Sequence, residues 1–141
     1  MITGRCECSR IEFEIDGPIE DFCHCHCSQC RRLHGAAYAT FAGVAGKDFR
    51  YRSGEDQLRV YASSQKNDRY FCGHCGSTIM VISRYEPDVY YLSMSTIDGD
   101  PDLPAAYHQF TGSKAPWHEI NDDLPRYEGP LPGEPGPQSG E

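Results

Sequence analysis

Eight cysteines dominate the chemistry that this sequence can perform, and they fall into three tight groups. The groups are Cys6-x-Cys8, Cys23-x-Cys25-x-Cys27-x2-Cys30 and Cys72-x2-Cys75. Thiols spaced by one or two residues suit a metal better than a disulfide, because a strand or a tight knuckle can then direct both sulfur atoms to one point. The spacing therefore predicts a zinc protein, and it raises the question of whether every zinc is fully enclosed.

The first and last groups predict a closed structural zinc site. We expect Cys6 and Cys8 on a strand, and Cys72 and Cys75 on a glycine-containing knuckle. Brought together, the two pairs supply the four sulfur ligands that a tetrahedral structural zinc requires, and would tie the first strand to the centre of the sheet. Metal binding would then be coupled to folding of a small β domain.

The middle group predicts a second zinc with an exchangeable position. Cys25, Cys27 and Cys30 would converge from a strand end and the first turn of a short helix. Catalytic zinc sites have this three-ligand arrangement, and a thiol that joined the metal would have its pKa lowered. Cys23 continues the alternating spacing, so two interpretations stay open: a fourth ligand that closes the site, or a small buried residue.

Several polar residues near the middle group are candidates for roles in chemistry. His34 lies four residues after Cys30 on the same helical face, and we select it as the acid or base. His26 should face away from its neighbouring ligands, which favours a packing or supporting role. Arg31 and Arg32 could pair with a carboxylate of a peptide-like thiol, or they could form a solvated helix face.

The elements that must position these residues are mostly short strands. Segments rich in β-branched and aromatic residues between turn signals predict a mainly β domain of short antiparallel strands. The predicted strands are 11–15, 38–41, 49–51, 58–61, 69–71, 79–82, 89–94 and 107–110. The segments 79–82 and 89–94 are the most apolar and should be central. One helix is predicted over 28–34, with Ser28 as N-cap and Gly35 just past its end.

Composition limits the classes of function that the chain can have. Its 141 residues, 38% of them hydrophobic, suit one domain over 1–127, followed by a Pro- and Gly-rich tail over 128–141 that we expect to be disordered. The net charge of −8 disfavours nucleic-acid binding. No apolar run approaches 18 residues, so no membrane helix is expected. The opening residues lack the apolar stretch of a secretory signal, which favours a reducing cytoplasm.

The cysteine motifs and two late residues together resemble a known enzyme family. These features are Cys25-His26-Cys27-Ser28-Gln29-Cys30-Arg31-Arg32, the Cys6/Cys8 opening, Phe71-Cys72-Gly73-His74-Cys75-Gly76, His108 and Trp117. In this order they resemble the glutathione-dependent formaldehyde-activating enzymes, which also include relatives of centromere protein V. The resemblance runs from about Gly4 to Tyr127. We interpret Trp117 itself as a core or sheet-covering residue.

The resemblance implies a single Mss4-like β-tent domain stapled by zinc. It also implies one structural zinc on Cys6, Cys8, Cys72 and Cys75, and a labile or catalytic zinc on Cys25, Cys27 and Cys30. The family reaction adds glutathione to formaldehyde to form S-(hydroxymethyl)glutathione, and is classed as a carbon–sulfur lyase for the reverse direction. This chain departs from the family pattern in its extra Cys23 and in His34, where a smaller residue or threonine is more usual.

Three hypotheses for function follow from these observations. The first is a zinc-dependent lyase that handles a thiol–aldehyde adduct, with a small thiol such as glutathione and a small aldehyde as ligands. The second is a non-catalytic zinc-binding interaction module whose second site is closed by Cys23. The third is a redox sensor whose middle cysteines exchange zinc for a disulfide. The oligomeric state is left open, with a homodimer as one option.

Overall fold

The computed structural model describes residues 1–133 and consists mainly of short strands. The strands are β1 Ile2–Arg5, β2 Glu12–Ile15, β3 Asp21–Cys25, β4 Ala39–Ala45, β5 Phe49–Ser53, β6 Leu58–Ala62, β7 Asn67–Cys72, β8 Thr78–Ser83, β9 Glu86–Ser93 and β10 Tyr107–Gln109. The one α-helix of the described residues is α1, Ser28–His34. The mainly β fold class is confirmed, and each predicted strand overlaps an observed one.

The strands form two sheets. A three-stranded sheet has the order β1-β2-β5, and a seven-stranded sheet has the order β10-β3-β4-β9-β8-β7-β6. The two most apolar segments, β8 and β9, lie inside the larger sheet, as expected from their composition. Neighbouring strands pair antiparallel except for β10, which pairs parallel to β3. The predicted antiparallel pairing therefore describes every strand pair but this one, where a long connection returns the chain in the same direction.

The two faces of the larger sheet have different roles. Side chains alternate between faces along a strand, so Phe41 and Ala42 of β4 point to opposite sides. Ala42 joins a core cluster that also contains Phe13 of the small sheet and Leu92 of β9, all fully buried. Phe41 joins a second cluster, which contains the middle cysteines. One face thus holds the small sheet, and the other is left for the candidate site.

The short helix α1 begins with an unusual cap. Cys27, not Ser28, is the N-cap residue: its backbone is extended, and its Sγ atom accepts a hydrogen bond from the N–H of Cys30 at 3.3 Å. Sulfur takes the place of the usual side-chain oxygen, and Ser28 becomes the first helical residue. The helix ends at Gly35, whose φ of 59° lies in the left-handed region that glycine adopts easily.

The C-terminal part of the described chain packs against β10. The N–H of Tyr127 donates to the carbonyl of His108, and the N–H of Phe110 donates to the carbonyl of Gly129. The predicted tail over 128–141 thus begins in contact with the fold, and its residues 134–141 lie outside the described residues. Among the described residues, no helix has the length and apolar character needed to cross a membrane.

Candidate metal centres

The first and last cysteine pairs meet in one cluster. The Sγ atoms of Cys6, Cys8, Cys72 and Cys75 all lie within 4.8 Å of one another. The Sγ atom of Cys8 is 3.5 Å from that of Cys6 and 3.9 Å from that of Cys72. Tetrahedral zinc with bonds of about 2.3 Å to sulfur places its ligands about 3.8 Å apart. The donor set and spacing therefore fit a zinc ion, and the cluster could hold one with four protein ligands.

Turns, rather than a strand, present the first pair of sulfurs. Cys6 and Cys8 follow β1 in a turn, which corrects the expectation that they lie on a strand. The turn is closed by the N–H of Cys6, which donates to the carbonyl of Ile11, and includes Ser9 at a φ of 63°. Cys72 ends β7, next to the edge strand β6 and away from the centre of the sheet. The cluster consequently joins a loop of the small sheet to a late strand of the large one.

The middle cysteines form a second cluster of three. The Sγ atoms of Cys25, Cys27 and Cys30 lie within 4.8 Å of one another, and each residue is buried. Cys25 ends β3, Cys27 caps the helix and Cys30 lies in its first turn, so the strand-to-helix transition brings the three sulfurs together. These residues also fit zinc, and they offer three protein ligands.

Cys23 lies near this cluster but does not belong to it. Its sulfur is not among the mutually close sulfur atoms, although the residue is 2% exposed and faces the same side of β3 as Cys25. Its Sγ accepts a hydrogen bond from Nε2 of Gln109 at 3.8 Å. The geometry favours the interpretation of Cys23 as a small buried residue over that of a fourth ligand.

The three thiols of the second cluster differ in pKa, and an arginine contacts one of them. Hydrogen bonds from the thiols of Cys25 and Cys30 lower the pKa of Cys27 to about 2. Hydrogen bonding to Cys27 and Cys30 raises the pKa of Cys25 well above its usual range, and burial adds to the effect. Arg69, only 4% exposed, donates from both terminal nitrogens to the Sγ of Cys30 at 3.5 and 3.6 Å. A buried guanidinium needs an anionic partner, and the sulfur cluster supplies one.

A cavity opens beside the second cluster. All three of its sulfur residues line the wall, together with apolar side chains that include Phe41, Val81 and Phe110. Cys23 also lines the cavity, and so do four charged residues: Asp21, Lys66, Arg69 and Glu86. A molecule in this cavity would therefore meet cysteine side chains, an apolar floor and charges of both signs.

The two carboxylates of the cavity are oriented by tyrosines. The hydroxyl of Tyr107 donates to Oδ2 of Asp21 at 3.0 Å, and that of Tyr91 donates to Oε2 of Glu86 at 3.1 Å. Gly43 pairs with both Asp21 and Tyr91, and a Cβ atom there would lie 2.8 Å from the Cβ of Asp21. Because Gly43 has no side chain, the side chains of Asp21 and Tyr91 have space on this face of the sheet.

The sheet register separates Asp21 from Arg69 within the cavity. Asp21 on β3 and Arg69 on β7 belong to the same cross-strand row, four strand spacings apart. Spacings of about 4.8 Å place their Cα atoms roughly 19 Å apart across the sheet. Of these two residues, Arg69 is the one that donates hydrogen bonds to a sulfur of the cluster.

Residues 1–113 match the family model described as "Glutathione-dependent formaldehyde-activating enzyme". The chain belongs to this family. It is 26% identical over 127 residues to a curated protein of Halomonas elongata whose name assigns it, provisionally, to the same enzymes, and the match covers 85% of this chain and 81% of the relative. It is also similar to a crystal structure of a Rhodobacter sphaeroides protein, with 27% identity and a TM-score of 0.60 over 71% of this chain and 91% of that one.

His26 and His34, the two histidines predicted near the second cysteine cluster, lie on different sides of the sheet. His26 is fully buried and bonds to His108, away from the sulfurs. The ring of His34 packs edge-on against Phe41 at 5.4 Å and lines a separate cleft that also includes Cys6. Burial lowers the pKa of His34 to about 4, so the imidazole is neutral near pH 7. It could accept a proton there but could not donate one as an imidazolium.

The predicted arginine pair of the family motif lies on α1, outside the lining of the cavity. Arg31 is partly buried and its Nε donates to the carbonyl of His26 at 3.4 Å, whereas Arg32 is exposed. Their contact with a substrate carboxylate stays a prediction. Trp117 is 72% exposed, so its interpretation as a core residue is wrong.

Sequence reasoning missed the charged residues that line the cavity. Arg69 is 39 positions from Cys30, and no spacing rule connects them. Lys66, Asp21 and Glu86 likewise come from separate strands or turns. One local signal was present: Arg69 is a charged residue inside a strand pattern, at a position where the register requires it to face the buried side.

Proposed function

We propose that the protein is a zinc-dependent carbon–sulfur lyase that handles a thiol–aldehyde adduct such as S-(hydroxymethyl)glutathione. The observation that carries this proposal is the cluster of Cys25, Cys27 and Cys30 in a cavity wall. Three sulfurs suit a zinc that keeps a position for an incoming thiol, whereas a closed site has none. A zinc ion bound there would lower the pKa of that thiol. Family membership supports glutathione and formaldehyde as the reactants.

The lining of the cavity supports a thiol that carries charges of both signs. Glutathione has two carboxylates and one ammonium group, and a small aldehyde has none. Lys66 and Arg69 suit the carboxylate closest to the sulfurs, while Asp21 and Glu86 suit the ammonium group. We keep the pair of Arg31 and Arg32 on α1 as proposed contacts for the second carboxylate.

Proton transfer is assigned to His34. Addition of a thiolate to an aldehyde develops negative charge on oxygen, which must then take up a proton. In the reverse direction the hydroxyl of the adduct must lose that proton, and a neutral imidazole suits this base role. The ring of His34 packs against Phe41, which lines the cavity, and this contact supports the assignment.

The competing interpretation as a non-catalytic zinc module requires a closed second site. The sulfur of Cys23 lies outside the second cluster, which removes the observation that would favour this alternative. None of the eight cysteines forms a disulfide, and we therefore propose that the enzyme works in the reducing cytoplasm.

Native mass spectrometry and turnover measurements test the proposal together. The wild-type protein should carry two zinc ions, and glutathione should add to the metal-loaded species. Cys25→Ser should lose one zinc and thiol–aldehyde turnover. Cys23→Ser removes a buried thiol that lies outside the cluster but in the same cavity lining, so it is the matched control for zinc content. Two bound zinc ions together with undiminished turnover in Cys25→Ser would refute the enzyme proposal. The same spectra report whether the protein is a homodimer.

A further inference from the structure

A chain of three hydrogen-bonded side chains leads from the surface to the second sulfur cluster. The carboxylate of Asp122 lies 2.9 Å from Nε2 of His108, and Nδ1 of His108 lies 2.8 Å from Nε2 of His26. Both histidines are buried, whereas the side chain of Asp122 is 45% exposed. His26 is the residue between Cys25 and Cys27, so the chain ends inside the ligand segment.

We propose that Asp122 and His108 are positioning residues, which act through His26 to hold Cys25 and Cys27 in the geometry that binds metal. This inference rests on the second metal of the proposed function. It concerns neither the closed cluster nor the cavity, because His26 faces away from the sulfurs.

The chemistry of the three groups fixes which atom donates and which accepts in each of these hydrogen bonds. The Asp122 carboxylate can only accept, so Nε2 of His108 carries a proton and its Nδ1 becomes an acceptor. Nε2 of His26 must then donate to that Nδ1. A single carboxylate thereby sets the tautomer of two buried imidazoles, in the way that outer carboxylates orient ligand histidines in metal sites.

His26 depends on this bond for its side-chain orientation. Its Nδ1 atom is buried and has no hydrogen-bond partner in the described part of the chain, so His108 provides the one side-chain hydrogen bond of the ring. The backbone N–H of His26 donates to the carbonyl of Gln109 at 2.9 Å, immediately after His108 in β10. Side chain and backbone therefore fasten the ligand segment to the same strand.

The surface end of the chain is itself held in place. The N–H of Leu124 donates to Oδ1 of Asp122, and the guanidinium of Arg126 donates to the carbonyl of Asp122 at 3.0 Å. The N–H of His108 donates to the carbonyl of Pro125. Asp122 lies beyond residues 1–113, so the segment that follows the family match supplies the anchor.

The test measures metal retention by native mass spectrometry during titration with a zinc chelator. Asp122→Asn removes the charged acceptor, and Asp123→Asn, an exposed neighbour, is the matched control. We expect Asp122→Asn to release its more labile zinc at a roughly 10-fold lower chelator concentration. This is the lower end of the loss in metal affinity caused by changing residues that orient metal ligands. Release of the more tightly held zinc should match the control.

Two substitutions of His108 separate positioning from simple loss of packing. His108→Asn keeps an acceptor near the Nδ1 position for His26, whereas His108→Gln keeps a partner for Asp122 and loses that acceptor. We expect His108→Asn to retain the labile zinc better than His108→Gln. If both buried variants fail to fold, the surface variant Asp122→Asn still decides the question.

Equal release by Asp122→Asn and Asp123→Asn would overturn the inference. So would parallel weakening of both metals together with a lower Tm, because that is the result of a merely structural role. The proposed function fails separately, through turnover that persists in Cys25→Ser. A wild-type protein that binds only one zinc would overturn both.

Discussion

Replacing Arg69 with methionine should weaken metal retention by the second sulfur cluster. The guanidinium is 4% exposed and lies 3.5 Å from the Sγ of Cys30. With the three sulfurs ionised by a bound metal, opposite unit charges at that distance would attract by roughly 5 kcal/mol at an effective dielectric constant of about 20. A charge-assisted hydrogen bond retains about 1.5–3 kcal/mol of net stabilisation after desolvation. Methionine keeps much of the buried volume and removes both the charge and the donors.

The lost interaction should act mainly on the metal-loaded state. A divalent zinc held by three thiolates would leave a net negative charge on the cluster, and the buried cation Arg69 contacts its Cys30 sulfur. Without metal, the cluster can shed its charge by binding a proton, so the variant loses less in that state. A difference of about 2 kcal/mol corresponds to a roughly 30-fold weaker second zinc.

Chelator competition with the purified zinc protein measures this difference. Arg59→Met is the matched control, because Arg59 is an exposed arginine of β6 that donates to backbone carbonyls only. The control should retain both metals like the wild type. If Arg69→Met also retains its second zinc like the control, the electrostatic reasoning about this cluster is wrong.

Three further predictions concern stability and substrate binding. Cys72→Ser should abolish the first metal and lower the Tm by more than 10 °C or prevent folding, as judged by circular dichroism, because structural zinc contributes directly to folding free energy. Gly4→Ala should cost about 1–3 kcal/mol in urea unfolding, since its Cβ would lie 2.2 Å from Phe13, while Gly129→Ala, which has open space, should be close to neutral. Lys66→Met should raise the KM for glutathione by about 3- to 10-fold and leave zinc content unchanged; an equal rise for cysteamine, which lacks carboxylates, would contradict a carboxylate contact.

Local spacing made the metal clusters predictable from the sequence. Cys25, Cys27 and Cys30 are close along the chain, so any strand-to-helix turn brings their sulfurs together. The same holds for the knuckle at Cys72 and Cys75. The strands could be located because each carries its own apolar alternation between turn residues.

Contacts set by register and by the path of the chain could not be predicted. Arg69 reaches Cys30 because β7 and α1 are neighbours in space, and Asp122 reaches His108 because the chain returns along β10 after a long connection. The cap at Cys27 was missed for another reason: serine is the common capping residue, and a cysteine at that position attracts attention as a ligand instead.

The closed cluster joins a loop after β1 of the small sheet to the end of β7 in the large sheet, through Cys6 and Cys72. With zinc bound there, a joint of this kind would make the lifetime of the protein depend on zinc supply. Newly made chains in a zinc-starved cell would lack the link between the two sheets and would become substrates for proteases. The amount of the protein should therefore follow the zinc status of the cell.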